Sequence, residues 1–126
     1  MDIQRWPSSA PGRSRTVAFA NLVWTVANAT DAMADFETQV RQSLDMLESH
    51  LVAAGSSRAH ILSLQVMLTD IENRAAFDAQ WQPWIGADPA HWPQRACFQA
   101  SLATGLQIEL VATAAQAAAT ELPSIS

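Results

Sequence analysis

A stripe of apolar residues at helical spacing constrains this chain more than any other feature. Met33, Phe36, Val40, Leu44, Leu47 and Leu51 recur every three or four residues, which places them along one side of a long α-helix. Asp31, Asp35 and Glu37 sit near the positive end of that helix. The polar break Asn28–Asp31 carries N-cap chemistry before it, and Gly55 offers a left-handed cap after it. A helix with a single apolar side gains most of its stability from the surface it covers, so the rest of the chain has to supply a sheet.

The flanking segments read as that sheet. A short strand is expected at Ile3–Trp6, followed by a Pro/Ser/Gly loop through Gly12. Thr16–Phe19 and Leu22–Val26 are β-rich runs on either side of Ala20-Asn21, which reads as a tight hairpin turn. Beyond the helix, Ile61–Thr69 alternates, with Leu62, Leu64, Val66 and Leu68 expected on one face and Ser63, Gln65 and Met67 on the other. Phe77, Trp81, Trp84 and Ile85 mark a second, shorter helix that Pro83 should end or kink. Asp88-Pro89 and Trp92-Pro93 then predict an extended loop. The last unit reads as a hairpin, Arg95–Ser101 and Gln107–Ala114 about a turn at Ala103-Thr104-Gly105. The order strand–strand–helix–strand–helix–strand–strand predicts an α+β fold in which two helices cover one face of a mixed, mostly antiparallel sheet. It is expected to form one domain over residues 1–115, with a flexible Ala-rich tail over 116–126.

Composition removes several classes of function. The net charge is −5, and all seven cations are scattered arginines, so the basic stripe that binds nucleic acid is missing. No lysine means no Schiff base to pyridoxal phosphate or to a carbonyl substrate. Cys97 is the single cysteine, which excludes an intrachain disulfide. His50, His60 and His91 lack metal-ligand spacing, so no metal is expected. No apolar run is long enough to span a bilayer, and Met1–Pro7 lacks the pattern of a signal peptide. The chain is therefore expected in the cytoplasm.

If the final hairpin pairs about Thr104, Ala96, Phe98, Ala100, Leu102, Ile108, Leu110 and Ala112 share an apolar face. The opposite face then carries Arg95, Cys97, Gln99, Ser101, Gln107, Glu109 and Thr113. One Arg and one Glu among small polar groups suit a solvent face, a subunit interface or a site. Arg95 could anchor a carboxylate as a bidentate fork or merely pair across an interface. Glu109 could handle protons or serve as a structural partner of Arg95. A nucleophilic Cys97 would need a nearby histidine, but His50, His60 and His91 lie in unrelated segments, so Cys97 reads as a small buried-strand residue. Trp81 and Trp84 read as core, whereas Trp24, which shares a face with Val26, and Trp92 are the aromatic candidates for a cleft.

Pro93-Gln94-Arg95-Ala96-Cys97 followed by Leu106-Gln107-Ile108-Glu109-Leu110 resembles the C-terminal signature of the RidA/YjgF family. Gln39 through Gly55 resembles the family's long helix and its cap, and Leu62 to Asp70 its third strand. Phe77-Asp78-x-x-Trp81-x-x-Trp84 is similar to its second helix, in the branch with two tryptophans. The similarity runs over roughly residues 14 to 115. The resemblance implies a homotrimer with clefts between subunits and no metal or organic cofactor. It also implies hydrolysis of 2-imino or enamine carboxylic acids to 2-keto acids and ammonia. Arg95 would hold the substrate carboxylate, and Glu109 would position or activate water together with backbone groups around Cys97. Read from the residues themselves, Trp24, Val26 and Trp92 are expected to line the substrate beside Cys97. The chain departs from the pattern in having no tyrosine, in reading Thr25-Val26-Ala27 where the family has Thr-Ser-Gly, and in placing Asp78 where asparagine is frequent.

The alternative is a non-catalytic trimer that keeps the Arg95 clamp for small carboxylates and has lost turnover, which Val26 and Ala27 favour. Ribonuclease activity, attributed to some relatives, fits poorly with an acidic chain without lysine.

Overall fold

The computed structural model describes residues 2–117. Its long helix, α1 (Phe36–Ala53), starts later than the apolar stripe suggests. The cap is Asp35, whose carboxylate accepts from the Thr38 amide at 2.9 Å, and not the Asn28–Asp31 break. Met33 consequently stands outside the helix, 91% exposed, while Phe36, Val40, Leu44, Leu47 and Leu51 are buried. After α1, Gly55 takes a φ of +79°, and the Ser56 amide returns to the Leu51 carbonyl at 2.8 Å.

Six strands form the sheet beneath it: β1 (Gln4–Pro7), β2 (Ser14–Phe19), β3 (Leu22–Asn28), β4 (Ile61–Leu68), β5 (Gln94–Gln99) and β6 (Ile108–Ala115). Their spatial order is β1-β2-β3-β6-β4-β5. Ala20 and Asn21 both have positive φ, at 54° and 66°, as a type I′ turn between β2 and β3 requires.

The expected C-terminal hairpin does not form. β6 lies between β3 and β4, antiparallel to both, while β5 runs parallel to β4 at the sheet edge. Residues 100–107 carry the chain past the end of β4, where the Ala100 amide bonds Leu68 and the Thr69 amide bonds Gln107. A central position gives β6 two partners for its backbone groups, which a terminal hairpin cannot. The face assignment survives for β6, whose Ile108, Leu110, Ala112 and Ala114 are buried under the helices. It reverses for β5. Arg95 aligns with buried Leu64, whereas Phe98 aligns with Met67 on the open side and is 41% exposed.

Two further expectations change. A register shift in β4 between Ile61 and Ser63 turns Ile61 inward and leaves Leu62 50% exposed. Pro83 does not terminate the second helix; α2 (Arg74–Ile85) runs two residues past it and stops at Gly86. α2 supplies the crossover that parallel β4 and β5 need. Arg58 fastens it to α1, bonding both Glu48 carboxylate oxygens at 2.7 and 2.8 Å and lying 4.5 Å over the Trp84 ring. Gln116 and Ala117, placed in the expected tail, bond Asn21 and Gly55 through their amides. The remainder of that tail lies outside the described residues.

Two buried polar clusters pin α1 to the sheet. Gln39, wholly buried, donates to the Ala34 and Gly105 carbonyls at 3.1 and 3.0 Å and accepts from the Gln107 amide at 2.8 Å. Gly105 has a φ of +88°, and a Cβ there would stand 2.7 Å from the Ala32 carbonyl oxygen. Replacing Gly105 with Ala should therefore cost about 1–3 kcal/mol, read as a lower urea midpoint at unchanged m-value.

In the second cluster, His50 Nδ1 lies 3.1 Å from both Thr25 Oγ1 and the Val26 carbonyl oxygen, and Thr25 bonds Thr16 at 2.7 Å. Burial holds the His50 pKa below its ordinary value, the nearby Arg15 charge adds to this, and the Val26 carbonyl opposes it. As pH falls, the unfolded chain takes up this proton before the folded chain does. The stabilisation is complete above the unfolded value and is lost as pH falls through the depressed folded one. Urea midpoints should drop between about pH 8 and about pH 5, and drop less in His50→Gln. Equal slopes in the two proteins would place the titration elsewhere.

Candidate functional site

β5 is an edge strand, and Arg95 on its inward face meets the flank of α2. Its guanidinium sits 5.5 Å above the Phe77 ring and 5.9 Å above the Trp81 ring, a cation–π environment. Nη1 donates to Asp78 Oδ1 at 2.5 Å, with the two side chains 23% and 29% exposed. Helical spacing puts Phe77, Asp78 and Trp81 on one flank of α2, so aromatic and carboxylate reach Arg95 together. Nε and Nη2 of Arg95 make no hydrogen bond to the described residues.

A cleft of about 820 Å³ opens beside this pair. Its walls include Trp81, Pro83 and Ile85 from α2, and Trp92 and Pro93 from the loop before β5. Trp92 is 55% exposed, but its indole donates to the Gly86 carbonyl at 2.8 Å, which fixes one edge of the ring. The loop is set by Asp88, whose carboxylate accepts from the Ala90 amide at 3.0 Å. The cleft is thus mainly apolar with one charged corner, the ordinary constitution of a small-molecule site.

Cys97 follows Arg95 on the same face and packs against the core. Burial pushes its thiol pKa up; the Arg95 and Arg74 charges only partly offset this. At neutral pH the group is a protonated thiol and a poor nucleophile.

The other expected site residues occupy the opposite face of the sheet. Glu109 on β6 lies beside Asn28, whose Nδ2 donates to Oε1 at 3.4 Å, and beside Met67 on β4. Trp24 and Val26 project from β3 on that same face, 41% and 38% exposed. Arg95, Cys97 and Trp92 are therefore gathered at the helix-side edge, whereas Glu109, Trp24 and Val26 belong to the open face. Arg95 and Glu109 do not share a face within one chain, as the hairpin register had suggested, because β4 stands between their strands and they point to opposite sides.

The pairing of Asp78 with Arg95 was not legible in the sequence, in which the two residues lie on separate elements with no common period. The buried roles of Gln39 and His50 were missed as well. Each is a polar residue on the sheet-facing side of an otherwise apolar helix, and that was the available signal. Among the described residues no group of three or more His, Cys, Asp or Glu could hold a metal ion, and no helix is long and apolar enough to cross a membrane.

The family described as Endoribonuclease L-PSP matches residues 14–116, the whole stretch from β2 to the end of β6. TdcF of Escherichia coli strain K12, named as a reactive intermediate deaminase, is 31% identical over 86 residues, which cover 68% of this chain and 67% of that protein. The 2-iminobutanoate/2-iminopropanoate deaminase of the same organism is 32% identical over 82 residues, 64% of each chain. Among solved structures, a YjgF family member from Neisseria meningitidis superposes with a TM-score of 0.84 at 26% identity, covering 94% of this chain and 98% of that one. The fold is thus one shared with solved members of that group, and the chain belongs to the RidA/YjgF family.

Proposed function

We propose that this protein hydrolyses 2-imino acids, and their enamine tautomers, to 2-keto acids and ammonium. The observation that carries this reading is the Arg95 guanidinium at the corner of an apolar cleft, with Nε and Nη2 unengaged among the described residues. Two parallel N–H donors in a plane match the two oxygens of a carboxylate. Substrate names of relatives agree with this chemistry, because two of them denote imine or reactive-intermediate deamination.

The reaction balances without a cofactor. Water adds to the carbon of R–C(=NH2⁺)–COO⁻, the C–N bond of the resulting carbinolamine breaks, and R–CO–COO⁻ and NH4⁺ leave. Arg95 binds and orients the substrate carboxylate through Nε and Nη2. A carboxylate placed near the attacking water can accept its proton and return one to the departing nitrogen, work worth roughly 10²–10⁴-fold. Glu109 is the residue we assign to it.

That assignment requires a second copy of the chain. Glu109 and Arg95 lie on opposite faces of one sheet, so one active site can use both only when the open face of one subunit meets the β5 edge of another. The open face suits such burial, since its apolar residues Phe19, Trp24, Val26 and Phe98 are each between 38% and 41% exposed and contact with another copy would cover them. A homotrimer closes such a heterologous contact into a ring. Cys97, Trp24, Val26 and Trp92 then line the substrate from the two sides.

Freshly generated 2-imino acids should release ammonia and keto acid faster with the wild-type protein than without it, and Arg95→Ala should remove that acceleration. Glu109→Gln should lower kcat by about 10²-fold or more with a smaller change in KM. No acceleration by the wild type would leave a trimer that binds small carboxylates without turnover. Sedimentation should give a trimer, and Trp24→Asp should shift it toward monomer and abolish activity together. A wild-type monomer in dilute buffer would end the interface assignment.

A further inference from the structure

The charged corner of the cleft is not a bare cation. Asp78 already neutralises Arg95 through Nη1, both side chains are about three-quarters buried, and the neighbouring walls are Trp81, Trp92, Pro83 and Ile85. Resting on the imine-hydrolase reading above, we infer that Asp78 makes the site select ligands carrying one positive and one negative charge, and so discriminates the substrate from the product. A 2-iminio acid is such a ligand: its carboxylate takes the Nε/Nη2 side of Arg95, and its NH2⁺ lies against Asp78. The 2-keto acid formed by hydrolysis keeps the carboxylate and loses the cation. It leaves two carboxylates sharing one guanidinium in a weakly solvated corner, where like charges repel more strongly than in water.

The arrangement therefore favours departure of the keto acid once ammonium has gone. Asp78 acts through ligand charge, and its conservative replacement by Asn keeps the shape of the corner and removes that charge. A purely structural role, holding Arg95 in place, would weaken all carboxylate ligands alike when Asp78 is changed. A selective role changes their ranking.

The test is equilibrium titration of the full chain with two stable probes that differ in charge pattern. These are 2-aminobutanoate, a zwitterion, and 2-oxobutanoate, the monoanion corresponding to the imine named for one relative. The wild type should bind the zwitterion more tightly. Asp78→Asn should tighten 2-oxobutanoate by about tenfold and weaken 2-aminobutanoate, reversing the order, and Asp78→Ser should shift the ratio in the same direction. An affinity ratio unchanged in both variants, or no binding of either probe to the wild type, overturns the inference. Ammonia release is scored separately. Reversal of the ranking in a protein without turnover supports the charge selection and removes the hydrolase reading. Turnover with an unaltered ratio overturns the selection and leaves the hydrolase.

Discussion

β6 occupies the middle of the sheet, and most of the molecule depends on that placement. Its backbone groups pair on one side with β3 and on the other with β4, so it joins the β1-β2-β3 half to the β4-β5 half. Its even-numbered residues form the floor on which α1 rests, and its odd-numbered residues belong to the open face. Without it, two small sheets would each expose an edge, and the apolar side of α1 would have no continuous surface to cover. The same insertion displaces β5 to the margin. Arg95 owes its partial exposure to that displacement, since a residue facing inward from a central strand would have been sealed beneath the helices.

The candidate site follows from this geometry. At the margin, α2 covers β5 incompletely, so the flank bearing Phe77, Asp78 and Trp81 meets Arg95 while one side of the guanidinium stays open to the cleft. Two aromatic faces and one carboxylate fix its position without consuming all of its donors. A cation held this way is pre-oriented for a planar anion, and the entropy of ordering a long side chain has been met before any ligand arrives. Asp78 is therefore both the group that orients the anchor and the group that restricts what the anchor accepts.

The open face carries Glu109, the second residue of the proposed chemistry. Glu109 stands there beside Asn28 and Met67, partly shielded yet distant in direction from Arg95. On the proposed reading, Arg95 and Glu109 would serve one site from surfaces that face away from each other within one chain, and an assembly of copies would bring them together. Burial of the open face would also explain why aromatic and β-branched residues remain at its surface.

The sequence by itself determined the elements whose signals are local. The apolar repeat of α1, the Ala20-Asn21 turn, the alternation within β4 and β6 and the aromatic spacing of α2 all arise from contacts a few residues apart, where backbone geometry dictates side-chain direction. Arg95 and Glu109 were legible as candidates because a charge within a strand of alternating pattern stands out, and because the surrounding residues resemble a family signature. Tertiary structure decided which strand lies beside which. Two strands separated by an eight-residue connection read as a hairpin, and nothing in their own residues reveals that β4 will stand between them. The energy that settles the matter comes from non-local burial and backbone pairing, which carry no sequence period. That single difference reversed the facing of β5, paired Arg95 with Asp78 and set Glu109 on the other side of the sheet.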